Sequence, residues 1–214
     1  MKEKNNNFIV RIITIVATCV TILGTYFILM DSGSKKKSLD QTSNQSGHVN
    51  IGGDFTLINS DGHEENTVKY KDKYKLVYFG FTYCPDICPT ALSNISNIID
   101  ITEKYGIDIV PIFVTIDPRR DTIDVMKAFC SHFNPKIIGY TGDENSIKNV
   151  ADLFKVFYAK VPRSDASEDD YLMDHSSLIY FMSKDMKFIK HFASEAPAME
   201  VADYIRRIIS ETKN

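Results

Sequence analysis

Two cysteines, Cys84 and Cys88, lie four residues apart in the segment 77–92, which reads VYFGFTYCPDICPTAL. The segment begins with β-branched and aromatic residues, which are typical of a buried strand. It ends with Pro89 and an apolar helical spacing, which predicts that a helix begins there. A cysteine at such a turn faces unpaired backbone N–H groups and the positive end of the helix dipole, and both favour its thiolate. Because thiolates bind metals and attack disulfides, the segment predicts sulfur chemistry.

The spacing of the two cysteines leaves more than one chemistry open. Strand, cysteine pair and helix in this order resemble thioredoxin, whose redox pair is spaced C-x-x-C. Here the spacing is C-x-x-x-C, and the extra residue lets both sulfurs converge on one metal ion. The alternative is an inert buried pair or a structural disulfide. Pro85 and Pro89 fix the backbone around both thiols, which favours a functional site.

Composition limits the functions that these cysteines can serve. The 214 residues suffice for one domain with a sizeable core, and 43% hydrophobic with 25% charged residues is typical of a globular protein. Residues 1–40 hold six Lys/Arg and three Asp/Glu, whereas the rest of the chain holds 19 and 25. An acidic domain argues against a nucleic-acid partner. Four cysteines are too few for a disulfide scaffold.

An apolar run near the N-terminus predicts a membrane anchor. Residues 12–30 carry no charged side chain, and at 1.5 Å per residue they are about long enough to cross a hydrocarbon core of roughly 30 Å. A cleaved signal peptide and a lipidation site at Cys19 are the alternatives. The run lacks a small-residue cleavage site, and further apolar residues follow Cys19. We therefore expect one transmembrane helix within residues 1–30, a flexible tether at 31–50 and a domain at 51–214. The orientation with a cytoplasmic N-terminus is not contained in this pattern and comes only from the family resemblance given below.

The domain alternates strand and helix patterns, which predicts an α/β fold. A Gly-containing turn at 59–62 joins strands at 54–58 and 65–69 into an N-terminal β-hairpin. An amphipathic helix at 90–105 lies between apolar runs at 76–81 and 109–116, typical of two parallel strands joined by a right-handed crossover. Further helices are predicted at 123–133, 146–154 and 197–210, and further strands at 137–140, 177–183 and 187–192.

Other residues with metal-binding side chains are predicted to lie outside the site. Cys130 stands between Phe129 and Phe133 on a predicted helix, a setting typical of a small core residue. His48, His63 and His132 are expected to be exposed, and so is the acidic loop at 164–170.

Four ordered motifs resemble the Sco/SenC family of membrane-anchored, thioredoxin-like proteins that assemble the copper site of cytochrome c oxidase. The motif FGFTYCPDICP at 79–89 resembles the family signature. GGDFTL at 52–57 resembles its entry hairpin, PIFVTIDPRRDT at 111–122 its second strand and the following turn, and YLMDHS at 171–176 the segment with its histidine ligand. Tyr83 departs from the pattern, since many relatives carry His there.

The resemblance implies a thioredoxin-like fold with a central mixed sheet flanked by helices, and a copper site. It implies that Cys84, Cys88 and His175 bind the metal. Asp86 and Asp174 lie near these residues in the sequence, and we expect their carboxylates to orient or tune the ligands. Two thiolates and one imidazole suit Cu(I) and can also hold Cu(II), although zinc accepts the same set. The implied partners are the copper-bearing oxidase subunit and an upstream copper donor. The charges flanking the anchor tie, so the resemblance alone places the domain on the periplasmic side of the inner membrane.

A second function, a membrane-anchored thiol–disulfide oxidoreductase, stays open, so the sequence leaves it uncertain whether the protein is an enzyme. Cys84 and Cys88 would then reduce the copper-binding cysteines of the oxidase through a mixed disulfide. His175 discriminates the two functions, because a dithiol reductant does not need it. A peroxidase is disfavoured because Phe81 stands where a Thr or Ser is expected.

Overall fold

A computed structural model describes residues 50–162 and 170–212, together with five helical residues nearer the N-terminus: Thr18, Thr21, Leu23, Thr25 and Tyr26. The predicted anchor therefore lies mostly outside the described residues, and so does nearly all of the predicted tether. Among the residues described, none of the helices has the length and apolar character needed to cross a membrane. The strands and helices of the domain belong to the second of two units of the chain, residues 49–214.

The described part of the domain contains nine strands and four α-helices. The strands are β1 (Thr56–Asn59), β2 (Glu64–Asn66), β3 (Tyr74–Gly80), β4 (Ile109–Thr115), β5 (Ile138–Thr141), β6 (Tyr158–Pro162), β7 (Tyr171–His175), β8 (Leu178–Met182) and β9 (Phe188–Ala193). The helices are α1 (Ile87–Lys104), α2 (Ile123–Phe133), α3 (Glu144–Phe154) and α4 (Ala198–Thr212).

Seven of these strands form one mixed sheet in the order β2-β1-β5-β4-β3-β8-β9. β3 pairs in parallel with β4, and β4 with β5, whereas the outer pairs are antiparallel. The expected α/β fold with a mixed sheet flanked by helices is confirmed, as are the N-terminal hairpin and the parallel β3–β4 pair. β6 and β7 form a separate two-stranded antiparallel sheet.

The centre of the sheet is covered on both faces. Every residue of β3 and of β4 is buried, which explains why the runs predicted at 76–81 and 109–116 are continuously apolar rather than alternating. α1 buries Cys88, Leu92, Ile95 and Ile99 on one stripe, at the spacing that a helix packed on a sheet requires. The strand–turn–helix unit that carries the cysteines is therefore anchored in the core.

The two largest errors in the predicted element boundaries are at the start of α1 and at the end of the second hairpin strand. α1 begins at Ile87 rather than at Pro89, so that Pro89 lies within the first turn. Proline is tolerated there because N–H groups of the first turn have no acceptor within the helix. The second hairpin strand ends at Asn66, where the Asn66 side chain accepts from the Val68 N–H at 2.8 Å and starts a 3₁₀ helix, Thr67–Tyr70.

The β6–β7 hairpin was not predicted from the sequence. Its strands, Tyr158–Pro162 and Tyr171–His175, are separated by the acidic loop, most of which lies outside the described residues. β6 is half-buried to exposed and contains a lysine and a proline, so it lacks the apolar pattern of a core strand. Its identity as a strand depends on pairing with β7.

Candidate metal centre

The cysteine turn connects the end of β3 to the start of α1. Within it, the Cys84 N–H donates to the Phe81 carbonyl at 3.3 Å. The Thr82 N–H and hydroxyl both donate to the buried Asp121 carboxylate, at 3.1 Å and 2.5 Å. Asp121 also accepts from the Thr115 hydroxyl at 2.5 Å. The turn is thus fixed to the end of β4 by a buried carboxylate as well as by its own backbone.

Cys88 lies in the first turn of α1, against the end of β3. Gly80 permits this approach: a Cβ atom at that position would stand 2.8 Å from the Cys88 Sγ and 3.0 Å from the rings of Tyr78 and Phe113. The Tyr78 hydroxyl donates to the Cys88 Sγ at 3.8 Å. A side chain at position 80 would therefore displace the sulfur.

His175 is the last residue of β7 and reaches the cysteines from the separate hairpin. Its ring meets Phe81 and Tyr78 edge to face, with centroid distances of 5.9 Å and 6.2 Å. Its Nδ1 lies 3.3 Å from the Ser176 carbonyl oxygen, and its Nε2 lies 3.5 Å from the Cys88 Sγ. An Nδ1–H donated to the carbonyl leaves the Nε2 lone pair directed at the sulfurs, as a metal ligand requires.

The fold brings together the three residues predicted as ligands. The ligand atoms of Cys84, Cys88 and His175 all lie within 4.8 Å of one another. Both cysteines are buried, Cys84 with 8% of the residue exposed and Cys88 with 0%, so Cys84 is the less deeply buried of the two. Two sulfurs and one nitrogen form a soft donor set that fits Cu(I), and zinc also accepts it with a fourth position open.

The two thiols differ strongly in acidity. The hydrogen bond donated by the Cys88 thiol is the largest cause that lowers the pKa of Cys84, to about 4, and the backbone N–H groups of Asp86 and Cys88 lower it further. The same hydrogen bond, together with burial, raises the pKa of Cys88. At neutral pH the metal-free pair therefore holds one thiolate and one thiol.

Other predicted residues lie away from this centre. Cys130 is 1% exposed and outside the group, as expected of a core residue, and burial raises the pKa of its thiol to about 12. His63 and His132 are exposed as predicted, whereas His48 and Cys19 lie outside the described residues.

The sequence misassigned the groups that support the ligands. Asp86 and Asp174 are exposed, and within the described ranges neither carboxylate hydrogen-bonds a ligand side chain. The contacts come instead from the Tyr78 hydroxyl and the Ser176 carbonyl. The sequence did contain a signal for Tyr78. Its hydroxyl belongs to a strand predicted to be fully buried, two residues before Gly80, and a buried hydroxyl needs a hydrogen-bond partner.

Comparison with known proteins identifies the family. The sequence model of the SCO1/SenC family matches residues 43–210. The chain belongs to the SCO1/SenC family. An SCO2-like protein of Rickettsia conorii is 41% identical over 206 residues, which cover 96% of this chain and 99% of that protein.

Two solved SCO1/SenC structures similar to this chain contain copper. The crystal structure of Arabidopsis thaliana ScoI with copper bound is 39% identical, covers 75% of this chain and 99% of the solved chain, and has a TM-score of 0.70. The crystal structure of yeast Sco1 with copper bound is 33% identical, covers 75% and 89%, and has a TM-score of 0.69. Copper, the metal expected from the sequence, is thus the metal that these relatives hold.

Proposed function

We propose that this SCO1/SenC protein is a copper metallochaperone that binds copper through Cys84, Cys88 and His175 and delivers it to the binuclear copper site of cytochrome c oxidase during assembly. The observation that carries the proposal is the convergence of two sulfurs and one imidazole nitrogen within 4.8 Å. Family membership and the copper in two related structures favour copper over zinc.

The asymmetry of the thiols suggests an order of binding. The partly accessible Cys84 thiolate meets the incoming ion first, and Cys88 then loses its proton to solvent as its sulfur binds. His175 completes the site through Nε2. Release to a partner follows by exchange of these ligands for those of the copper-bearing oxidase subunit, and loading follows by the reverse exchange with an upstream donor.

The ligand set is tested by two titrations on the full chain in detergent: Cu(I) against a competing chelator, and Cu(II) followed by absorbance. Cys84→Ala and Cys88→Ala should weaken both ions, because one thiolate and one imidazole cannot replace the lost sulfur. His175→Ala should keep part of the Cu(I) affinity and lose the stable Cu(II) form with its sulfur-to-copper absorption. Cys130→Ala, which removes a buried thiol outside the group, is the matched control and should bind both ions as the parent does.

A second function, a thiol–disulfide oxidoreductase, is favoured by the different accessibility of the two sulfurs. Cys84, the less buried of the two, would attack a disulfide of the oxidase, and one partner thiolate would leave. Cys88 beneath it would then attack the mixed disulfide and release the second partner thiolate. Two electrons pass to the partner, and a Cys84–Cys88 disulfide remains. If His175→Ala binds both copper ions as the parent does, His175 is structural and this function becomes the better proposal.

We also infer that residues within 8–30 anchor the protein in the inner membrane, with the domain on the periplasmic side. The uncharged run at 12–30 supports an anchor. A reporter enzyme that is active only outside the cytoplasm, fused after Asn214, should be active. An inactive reporter, with a cytoplasmic reporter active at the same position, would reverse the orientation.

A further inference from the structure

Arg120 lies in the turn between β4 and α2 and contacts both parts of the candidate metal centre. Its guanidinium carbon is 3.7 Å from the ring centroid of Tyr171, and its Nη1 donates to the Tyr171 carbonyl at 2.9 Å. The same carbon is 4.8 Å from the ring centroid of Tyr83 and 5.9 Å from that of Phe81. Tyr171 begins the strand that ends at His175, whereas Tyr83 and Phe81 belong to the cysteine turn.

The guanidinium is itself held in place. Its Nε donates to the Asp117 carboxylate, which is 2% exposed and also accepts from the Tyr171 hydroxyl at 2.7 Å. Asp117, Arg120 and Tyr171 therefore form a closed ring of contacts in which each residue touches the other two. The Arg120 side chain is 17% exposed, so its charge is largely withdrawn from water, where contacts with aromatic rings are stronger.

The position of His175 relative to the sulfurs depends on such side-chain contacts. In the described part of the chain, β7 pairs with β6 and not with the seven-stranded sheet. Backbone pairing fixes His175 within its hairpin, and the chain enters β8, which pairs with β3, at Leu178. The other end of β7, at Tyr171, has no such strand pairing with the main sheet among the described residues. Arg120 contacts both that end of β7 and the cysteine turn, and the Phe81 ring meets the imidazole at the opposite end.

We propose that Arg120 is a positioning residue that holds the His175 hairpin in register with the cysteine turn, so that the nitrogen meets the metal bound by the two sulfurs. The inference rests on the proposed copper function. Lysine cannot replace arginine here, because an ammonium group does not stack as a plane and does not present a fixed fork to Asp117 and Tyr171. The loss of such supporting contacts around a metal site weakens metal binding by roughly 10-fold to 100-fold.

The test compares Arg120→Lys with Arg119→Lys in the full chain in detergent. Arg119 is exposed in the same turn, so the control removes a guanidinium of the same charge. Three quantities are measured: Cu(I) affinity against a chelator, nitrogen hyperfine coupling in the EPR spectrum of the Cu(II) form, and the NMR shift of the His175 Cε1 proton without metal. In the parent, the Phe81 and Tyr78 rings displace that shift from its value in an unfolded chain.

Arg120→Lys should weaken Cu(I) binding by about 10-fold or more. At temperatures where the variant is still folded, its Cu(II) form should show no nitrogen coupling, and its His175 Cε1 proton shift should move toward the value in an unfolded chain. Arg119→Lys should match the parent in Cu(I) affinity, nitrogen coupling and His175 shift. If Arg120→Lys does not fold, Tyr171→Phe replaces it in the test. This variant keeps the aromatic ring but removes the hydroxyl that donates a hydrogen bond to Asp117. It should change the Cu(I) affinity, the nitrogen coupling and the His175 shift in the same direction as expected for Arg120→Lys. Unchanged coupling and an unchanged His175 shift in the folded variant overturn the inference.

The metal-free shift separates the two proposals. A parent protein that shows no copper–sulfur absorption and no nitrogen coupling would contradict the copper function, while the His175 shift would still report on Arg120. A parent that binds copper through His175, with Arg120→Lys equal to Arg119→Lys, would contradict the positioning role alone.

Discussion

The cysteine turn and the β6–β7 hairpin both contribute candidate ligands to the metal centre, but different contacts fix the two segments in the domain. Cys84 and Cys88 follow a strand whose seven residues are all buried, and Cys88 lies in a helix packed into the core. His175 ends a strand of a separate two-stranded sheet whose other strand is half-buried to exposed. Backbone hydrogen bonds and core packing thus fix the sulfurs, whereas the nitrogen is located by the short connection to β8 and by side-chain contacts.

This difference separates the candidate ligands by how each is held. Two sulfurs can hold Cu(I) by themselves, so the proposed site would keep part of its ligand set if the nitrogen were lost. Such a division would suit the proposed copper chaperone, which must hold copper and then release it. It also predicts that changes in the cysteine turn disturb the whole domain, while changes in the hairpin stay local.

The largest expected contrast concerns thiol reactivity in the metal-free protein. Because the pKa of Cys84 is lowered to about 4, its thiolate is fully formed above about pH 5, and its alkylation rate should stay nearly flat from there to pH 8. An ordinary thiol, with a pKa of about 8.5, reacts roughly tenfold faster per pH unit over that range. Burial should make Cys88 and Cys130 slow throughout.

The measurement is site-resolved alkylation by mass spectrometry, with Cys84→Ala as the control that removes the fast phase. Equal rates for Cys84 and Cys88 would contradict the described asymmetry.

Gly80→Ala tests how rigid the cysteine turn is. The added methyl would stand 2.8 Å from the Cys88 Sγ and 3.0 Å from two aromatic rings, so α1 or the rings must shift. Overpacking of this kind costs about 1–3 kcal/mol of unfolding free energy, measured by denaturant titration. Gly106→Ala is the control for overpacking, because a Cβ added at Gly106 would have no atom within 4 Å. The φ of +71° at Gly106 adds backbone strain to that variant. A Gly80→Ala protein as stable as the parent would show that the turn adapts.

Cys130→Ser tests whether a buried thiol outside both parts matters to copper. The new hydroxyl would be buried among apolar groups and should cost about 1–3 kcal/mol of stability. Copper stoichiometry should stay unchanged when measured below the unfolding transition. Loss of copper from a folded Cys130→Ser protein would make Cys130 a ligand and contradict the described site.

Ser176→Ala should have the smallest effect. Its hydroxyl accepts from the Phe157 N–H at 3.2 Å in an exposed part of the hairpin, and such a bond contributes about 0.5–1.5 kcal/mol. Hydrogen exchange should accelerate at Phe157 and its hairpin neighbours, while global stability changes by about 1 kcal/mol or less. A global loss as large as that of Gly80→Ala would show that the hairpin is part of the cooperative core.

The success of sequence prediction follows the same division. The unit from β3 through α1 to β4 has the buried-strand and amphipathic-helix patterns that fix its order and its parallel pairing. The Thr122 hydroxyl caps α2 by accepting a hydrogen bond from the Val125 N–H at 3.5 Å. The predicted bounds of that helix, Ile123–Phe133, agree with the structure. β6 escaped prediction because a half-exposed strand with lysine and proline has no periodicity of its own.

The sequence by itself determined that two cysteines lie at a strand-to-helix turn, since strand composition, proline placement and helical spacing act over a few residues. Only the tertiary structure decided which cysteine is less buried, that Tyr78 and the Ser176 carbonyl support the ligands, and that Arg120 contacts both the cysteine turn and the β6–β7 hairpin. His175 follows Cys88 by 87 residues, yet its Nε2 lies 3.5 Å from that sulfur. No local pattern encodes such a distance, because it depends on how a hairpin with no pairing to the main sheet packs against the end of β3.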